Sequence, residues 1–162
     1  MGVEGVVVDQ LLLSGGEDVV RTGARGVEHA VPAAVALETL KIYEERDIVG
    51  MVQRVAPRLQ SAIRSHADHP LVGDARGIGL IGAVELVRDK AMKQSFDPKA
   101  GVAAFLVRRA QHHGVILRNM PGDIVAFSPP LIITDAEIDE MMRCFGKALD
   151  DTWAMVKERG LA

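Results

Sequence analysis

The amino-acid sequence predicts an α+β fold, a small mainly antiparallel sheet with flanking helices. Two stretches of helical character lie ahead of a central region rich in glycine and β-branched residues. A third periodic stretch interrupts that region, and a long capped one closes the chain. Helices before, within and after a block of short strands separated by turn signals describe an α+β arrangement rather than a regular βαβ alternation.

The first helix is expected over residues 32–46, PAAVALETLKIYEER, rich in Ala, Leu, Glu and Lys with a proline where a first turn tolerates it. The second, over 47–66, spaces Ile48, Met51, Val52, Val55, Leu59, Ala62 and Ile63 three or four apart. Pro57 lies inside that pattern and removes a backbone donor, which predicts a kink or a break there.

After His69-Pro70 the run LVGDARGIGLIGAVELV predicts a β-hairpin or two paired strands. Ser95-Phe96-Asp97-Pro98 is turn chemistry, and a helix follows over 101–113 with Val102, Phe105, Leu106 and Ala110 on one face, ended by Gly114. Val115-Ile116-Leu117-Arg118 and Asp123-Ile124-Val125-Ala126-Phe127 flank Asn119-Met120-Pro121-Gly122 and predict two further antiparallel strands about a turn. Thr134 and Glu137 form a capping box ahead of Ile138, Met141, Met142, Phe145, Leu149, Trp153 and Val156, the signature of a long amphipathic helix.

With 162 residues, 48% of them hydrophobic, the chain is long enough for a real core. A net charge of -3 with scattered Lys and Arg gives no nucleic-acid footprint, so no nucleic-acid partner is expected. A single cysteine, Cys144, allows no internal disulfide and fits a reducing compartment such as the cytoplasm. No basic n-region precedes the interrupted apolar N-terminus and no run is long enough to cross a bilayer, so neither a signal peptide nor a membrane partner is expected.

Most candidate chemistry has a plainer explanation. Gly77-Ile78-Gly79-Leu80-Ile81-Gly82 matches the dinucleotide-binding glycine pattern, but that pattern must open a helix, and here Ala83-Val84-Glu85-Leu86-Val87 reads as strand. A tight turn and close packing explain the glycines better. His112 and His113 point about 100° apart on a helix, His66 and His69 flank a helix end and His29 stands alone, so surface histidines rather than metal ligands are expected. Ser128 lacks the glycines of a nucleophile elbow, and Cys144 has no base nearby in sequence. Glu44-Glu45 and Asp150-Asp151 read as solvated helix faces. Arg118 lies between an apolar strand and a loop, where a guanidinium can grip a carboxylate bidentately or form a structural salt bridge.

Several long motifs then resemble one family. Glu28-His29-Ala30-Val31-Pro32-Ala33-Ala34-Val35-Ala36-Leu37-Glu38-Thr39-Leu40 is similar to the Gly-His-Pro segment and following helix of class III, pyridoxal-phosphate-dependent aminotransferases, especially the ω-amino-acid:pyruvate group. Arg76-Gly77-Ile78-Gly79-Leu80-Ile81-Gly82-Ala83-Val84-Glu85-Leu86, Val115-Ile116-Leu117-Arg118 and Phe127-Ser128-Pro129-Pro130-Leu131-Ile132-Ile133-Thr134 match in order and spacing. The resemblance covers residues 29–162 and implies a linking helix and the small C-terminal domain of a fold-type I aminotransferase, behind a degenerate or irregular segment over 1–28.

The resemblance also implies what is missing. In such enzymes the Schiff-base lysine precedes the Gly-His-Pro segment, yet the first lysine here is Lys41, inside the linking helix. Arg25-Gly26-Val27 stands where the family has a phosphate-binding threonine, and Glu28 and Ala30 replace the glycine and proline beside the histidine. Residues 5–8 and 14–17 faintly resemble the end of the large domain, as in a truncated or frameshifted product. The expectations are therefore no catalytic residue, an inactive chain that does not bind pyridoxal phosphate alone, and self-association through surface a large domain normally covers. Arg118 matches the mobile arginine that binds a substrate's α-carboxylate. The full-length form is expected to transfer an amino group between an ω-amino acid or amine and pyruvate. The competing reading is a noncatalytic stand-alone or remnant domain, and a nicotinamide-binding turn at residues 77–82 is a formal third.

Overall fold

A computed structural model describes residues 30–161. The expectations placed on residues 1–28 and on His29 lie outside them. The chain divides into two units, residues 1–47 and 48–162. In the first, helix α1 (Ala30–Glu45) carries local ties, Thr39 Oγ1 donating to the Val35 carbonyl at 2.8 Å and Lys41 pairing with Glu38 at 3.1 Å.

The second unit runs α2 (Ile48–Arg64), β1 (Val72–Ile78), β2 (Ile81–Leu86), a short 3-10 turn (Pro98–Ala100), α3 (Val102–His112), β3 (Arg118–Met120), β4 (Ile124–Phe127) and α4 (Asp135–Glu158). The four strands form one antiparallel sheet in the order β1-β2-β4-β3. Alternation along β2 and β4 turns Gly82, Val84, Leu86, Val125 and Phe127 inward, where they are buried. There they join Leu59 and Ile63 of α2, Val102, Leu106 and Ala110 of α3, and Ile138, Phe145 and Leu149 of α4 in a single core. Each such aliphatic or aromatic side chain contributes roughly 1.5–3 kcal/mol by leaving water. Phe145 stands edge-on to Phe127 at 5.0 Å and to His66 at 5.1 Å. Fold class and helix order are as the sequence predicts.

The capping box forms in full. Thr134 Oγ1 accepts from the Glu137 N–H at 3.3 Å, and the Glu137 carboxylate accepts from the Thr134 N–H at 2.8 Å. The bond from the Thr134 N–H, then one from the Thr134 hydroxyl to the same carboxylate at 2.8 Å, hold the Glu137 carboxyl below its ordinary range. Of the kink or break expected at Pro57, the break is not made: helix α2 is continuous from Ile48 to Arg64 across it. Proline removes one hydrogen bond, whereas buried Leu59, Gln60 and Ile63 just beyond it hold the helix to the sheet.

The glycines between β1 and β2 serve packing. Ile78 pairs with Ile81 across the two-residue loop Gly79-Leu80, and Gly79 has φ +56°, the conformation that hairpin loops with glycine in first place require. A Cβ on Gly77 would stand 2.4 Å from the Ile81 carbonyl oxygen, and one on Gly82 2.3 Å from Ile63 Cδ1. Buried Gln60 donates from Nε2 to the Gly79 and Ile81 carbonyls at 3.0 and 3.1 Å, pinning the loop to α2. Strand β2 runs on from residue 82 to Leu86 and no helix opens there, so the phosphate-cradling geometry of a dinucleotide motif is not made.

Polar ties cross the helical layer. Arg58 of α2 makes a bidentate pair with Asp139 of α4. Asp151 of α4 accepts from His113 Nε2 at 2.7 Å and from Arg109 Nε at 2.8 Å, so this acid joins α4 to the end of α3 rather than lying free on a solvated face. The His113 bond, then those from Arg109, hold its carboxyl below the usual range against the opposing effect of partial burial. Among the described histidines, the expectation of a surface position holds for His112 alone. His66 and His69 are half-buried beside Phe145 and Trp153, because the turn after α2 folds back onto α4.

Candidate functional site

Arg118 opens β3 instead of closing the strand before it, a correction to the predicted turn. Residues 115–117 are not strand. Asn119 and Met120 pair with Val125 and Ile124, and the reversal is made at Pro121-Gly122-Asp123. Pro121 presets its own φ and Gly122 takes φ +84°, which suits a type II reversal one step later than the Asn-Met-Pro-Gly reading placed it.

The register shows what surrounds Arg118. Directly paired residues share a face, so Arg118, Ala126, Ala83 and Arg76 form one row across the face of the sheet opposite the one packed on α2, α3 and α4. The next row holds Met120, Ile124, Glu85 and Asp74, and Ile78 and Ile81 stand at the hairpin tip. Arg76 is occupied, paired with both Asp74 and Glu85. Arg118 is exposed, and among the described residues its guanidinium has no hydrogen bond or ion pair.

Beside Arg118 lies an open groove of about 500 Å³, lined chiefly by Ile116, Leu117, Met120, Pro129, Pro130 and Met141. An apolar trough with one uncommitted guanidinium at its rim suits a ligand with a carboxylate at one end and a hydrocarbon body. Sequence reasoning missed Met120 and Ala126 as neighbours of Arg118, and only the alternation from Arg118 to Met120 could have signalled the first. Ser128 lines the same groove, backed by Pro129 and Pro130.

Other candidates stay apart from this face. Cys144 is buried and donates to the His113 carbonyl at 2.9 Å, a structural contact with a backbone atom rather than with an imidazole base. His69 Nδ1 accepts from the Leu71 N–H at 3.2 Å while Nε2 faces Asp150 at 3.6 Å. Burial holds the His69 pKa below its ordinary value, and the Asp150 carboxylate opposes that shift. No group of His, Cys, Asp and Glu among the described residues has the placement of a metal site, and no described helix is long and apolar enough to cross a membrane.

Comparison with known proteins agrees with this architecture. The chain is 41% identical over 130 residues to gamma aminobutyrate transaminase 1, mitochondrial, of Solanum lycopersicum, covering 80% of this chain and 25% of that protein. It is 43% identical over 129 residues to putrescine–pyruvate aminotransferase of Pseudomonas aeruginosa, covering 79% and 28%. Among solved structures, a transaminase with L-ala superposes with a TM-score of 0.75 at 45% identity, over 79% of this chain and 30% of that one. The omega transaminase from Pseudomonas jessenii in complex with PMP gives 0.73 at 39%, over 86% and 33%. The chain thus spans between a quarter and a third of the length of these relatives. A family model described as Aminotransferase class-III matches residues 28–149, in which the α3 helix, the glycine hairpin and the Arg118 strand all fall, and the chain belongs to that family.

Proposed function

We propose that this chain is the C-terminal part of an aminotransferase whose full-length form moves an amino group between an ω-amino acid or amine and pyruvate, and that Arg118 receives the substrate carboxylate. The observation that carries this reading is the uncommitted Arg118 guanidinium at the rim of an apolar groove on the open sheet face. A keto acid presents a carboxylate to that fork, whereas a simple amine presents none.

The family depends on pyridoxal phosphate. The described residues do not fit that group. Lys41 is paired with Glu38 on an exposed helix face, Lys90 donates to the Ala67 and His69 carbonyls, Lys157 lies over the Trp153 ring, and Lys93, Lys99 and Lys147 are exposed. The first lysine of the sequence is Lys41, so the position that should hold the cofactor covalently has no counterpart in the chain. No chemical step is assigned to these residues, and the chain alone is read as inactive.

The test is a fusion that restores an upstream cofactor-holding domain of a class-III relative. Arg118→Ala should lower kcat/KM for pyruvate by roughly 10- to 100-fold, the worth of lost hydrogen bonds to a charged group, while kcat/KM for a simple amine donor changes by little. Equal losses for both substrates would sink the assignment. A second reading, a noncatalytic domain acting by association, is favoured by Ile78, Ile81 and Ile116, which are 82%, 65% and 84% exposed. No transamination by any fusion, with concentration-dependent association of the chain itself, would select it.

A further inference from the structure

Strand β3 is three residues long, wholly exposed and bonded on one side only, at the edge of the sheet. So short and exposed a strand is placed by what holds its two ends, buried Leu117 before it and the turn after it. That turn ends in Asp123, with φ +53°, a left-handed conformation that aspartate tolerates better than most residues. Its carbonyl accepts from the Leu86 N–H at 2.9 Å, at the end of β2. Its Oδ1 accepts from the Ala103 N–H at 3.0 Å, in the first turn of α3. The N-cap of α3 is Gly101, which has no side chain to satisfy that turn, so a carboxylate twenty residues on supplies the missing acceptor at the positive end of the helix.

We propose that Asp123 is a positioning residue for Arg118: by capping α3 from the β3–β4 turn, it fixes where the open sheet face presents the guanidinium. Its functional meaning rests on the carboxylate-binding reading of Arg118. The structural claim does not. Asp123 joins three elements through one residue, and it is the part of the hairpin tied to the helical layer by a side-chain bond. With that bond gone, the turn keeps its main-chain bond to the Leu86 N–H, and β3 its pairing with β4 and its packing against α3, but no side chain ties the turn to the start of that helix.

Native-state amide exchange on the intact chain, read by NMR, tests this with two variants. Asp123→Gly keeps the left-handed φ accessible and removes the acceptor, whereas Asp123→Asn keeps both. In the glycine variant, exchange at Ala103 and in the β3–β4 ladder should quicken together by about fivefold, the factor expected for loss of one helix cap. The Arg118 Nε–H resonance should shift with them, amides of Phe145 and Leu149 in α4 should keep wild-type rates, and asparagine should restore most of the effect. Quickening at Ala103 alone, uniform quickening throughout the chain, or no rescue by asparagine would each overturn the proposal. Titration of the wild-type chain with pyruvate, followed at the same Arg118 resonance, addresses the other question separately. No response there counts against the carboxylate role of Arg118 and leaves the exchange result standing.

Discussion

Replacing Gly82 by alanine should destabilise the domain through one identifiable methyl group. The new Cβ would lie 2.3 Å from Ile63 Cδ1, and Ile63 is fully buried, so it cannot swing out to solvent. Overpacking of this kind costs roughly 1–3 kcal/mol. Gly82 does not have a positive φ, so alanine also removes freedom from the unfolded chain, which offsets the cost by about 0.4–1 kcal/mol. The expected net loss is about 1–2 kcal/mol. Ile63→Val deletes the offending atom and itself costs about 0.5–1.5 kcal/mol. In that background Gly82→Ala should cost almost nothing, giving a coupling of about 1 kcal/mol or more in a double-mutant cycle read by urea unfolding. Gly77→Ala supplies the contrast. Its Cβ would stand 2.4 Å from a backbone oxygen of Ile81, and trimming Ile63 should leave its cost unchanged. Additive losses for Gly82→Ala and Ile63→Val would refute the packing argument.

Thr134→Ala should lower stability by about 1 kcal/mol in urea unfolding, since it removes the hydroxyl that accepts from the first turn of α4. His69 sets an acid-sensitive slope: burial lowers its folded pKa, so as pH falls through 6.5 the unfolded chain takes the proton first and stability declines until the folded pKa is passed. His69→Asn, which keeps an acceptor for the Leu71 N–H, should flatten the change in unfolding midpoint between pH 7.5 and 5.5, and an unchanged slope would place it on another histidine.

Features that rest on local chemistry were legible in the sequence. The Thr134–Glu137 box, the glycine end of α3 and the hairpin at Gly79 each depend on neighbours in the chain, and each is present. The misreadings share one cause, competition decided by distant residues. Val115, Ile116 and Leu117 have strand composition, yet the residues that pair with β4 are Arg118, Asn119 and Met120, because the reversal is set at Gly122 and Asp123 is held by α3. Pro57 is tolerated through packing that no local rule contains. The open face around Arg118 was visible only as a resemblance, since the row Arg118, Ala126, Ala83, Arg76 draws on all four strands and needs the order β1-β2-β4-β3.

That strand order also dictates how the chain must fold in time. β1 with β2, and β3 with β4, are hairpins whose partners are a few residues apart and can close within microseconds. The seam between β2 and β4 is different. It joins Glu85 to Ile124 and Gly82 to Phe127, enclosing a loop of roughly forty residues that includes α3, and the entropy of closing that loop must be met before the seam returns any stability. The late, committing event is therefore the union of two preformed hairpins along Val84 and Val125, and residues on that seam should carry the folding rate while those at the sheet edges govern mainly how fast the domain comes apart.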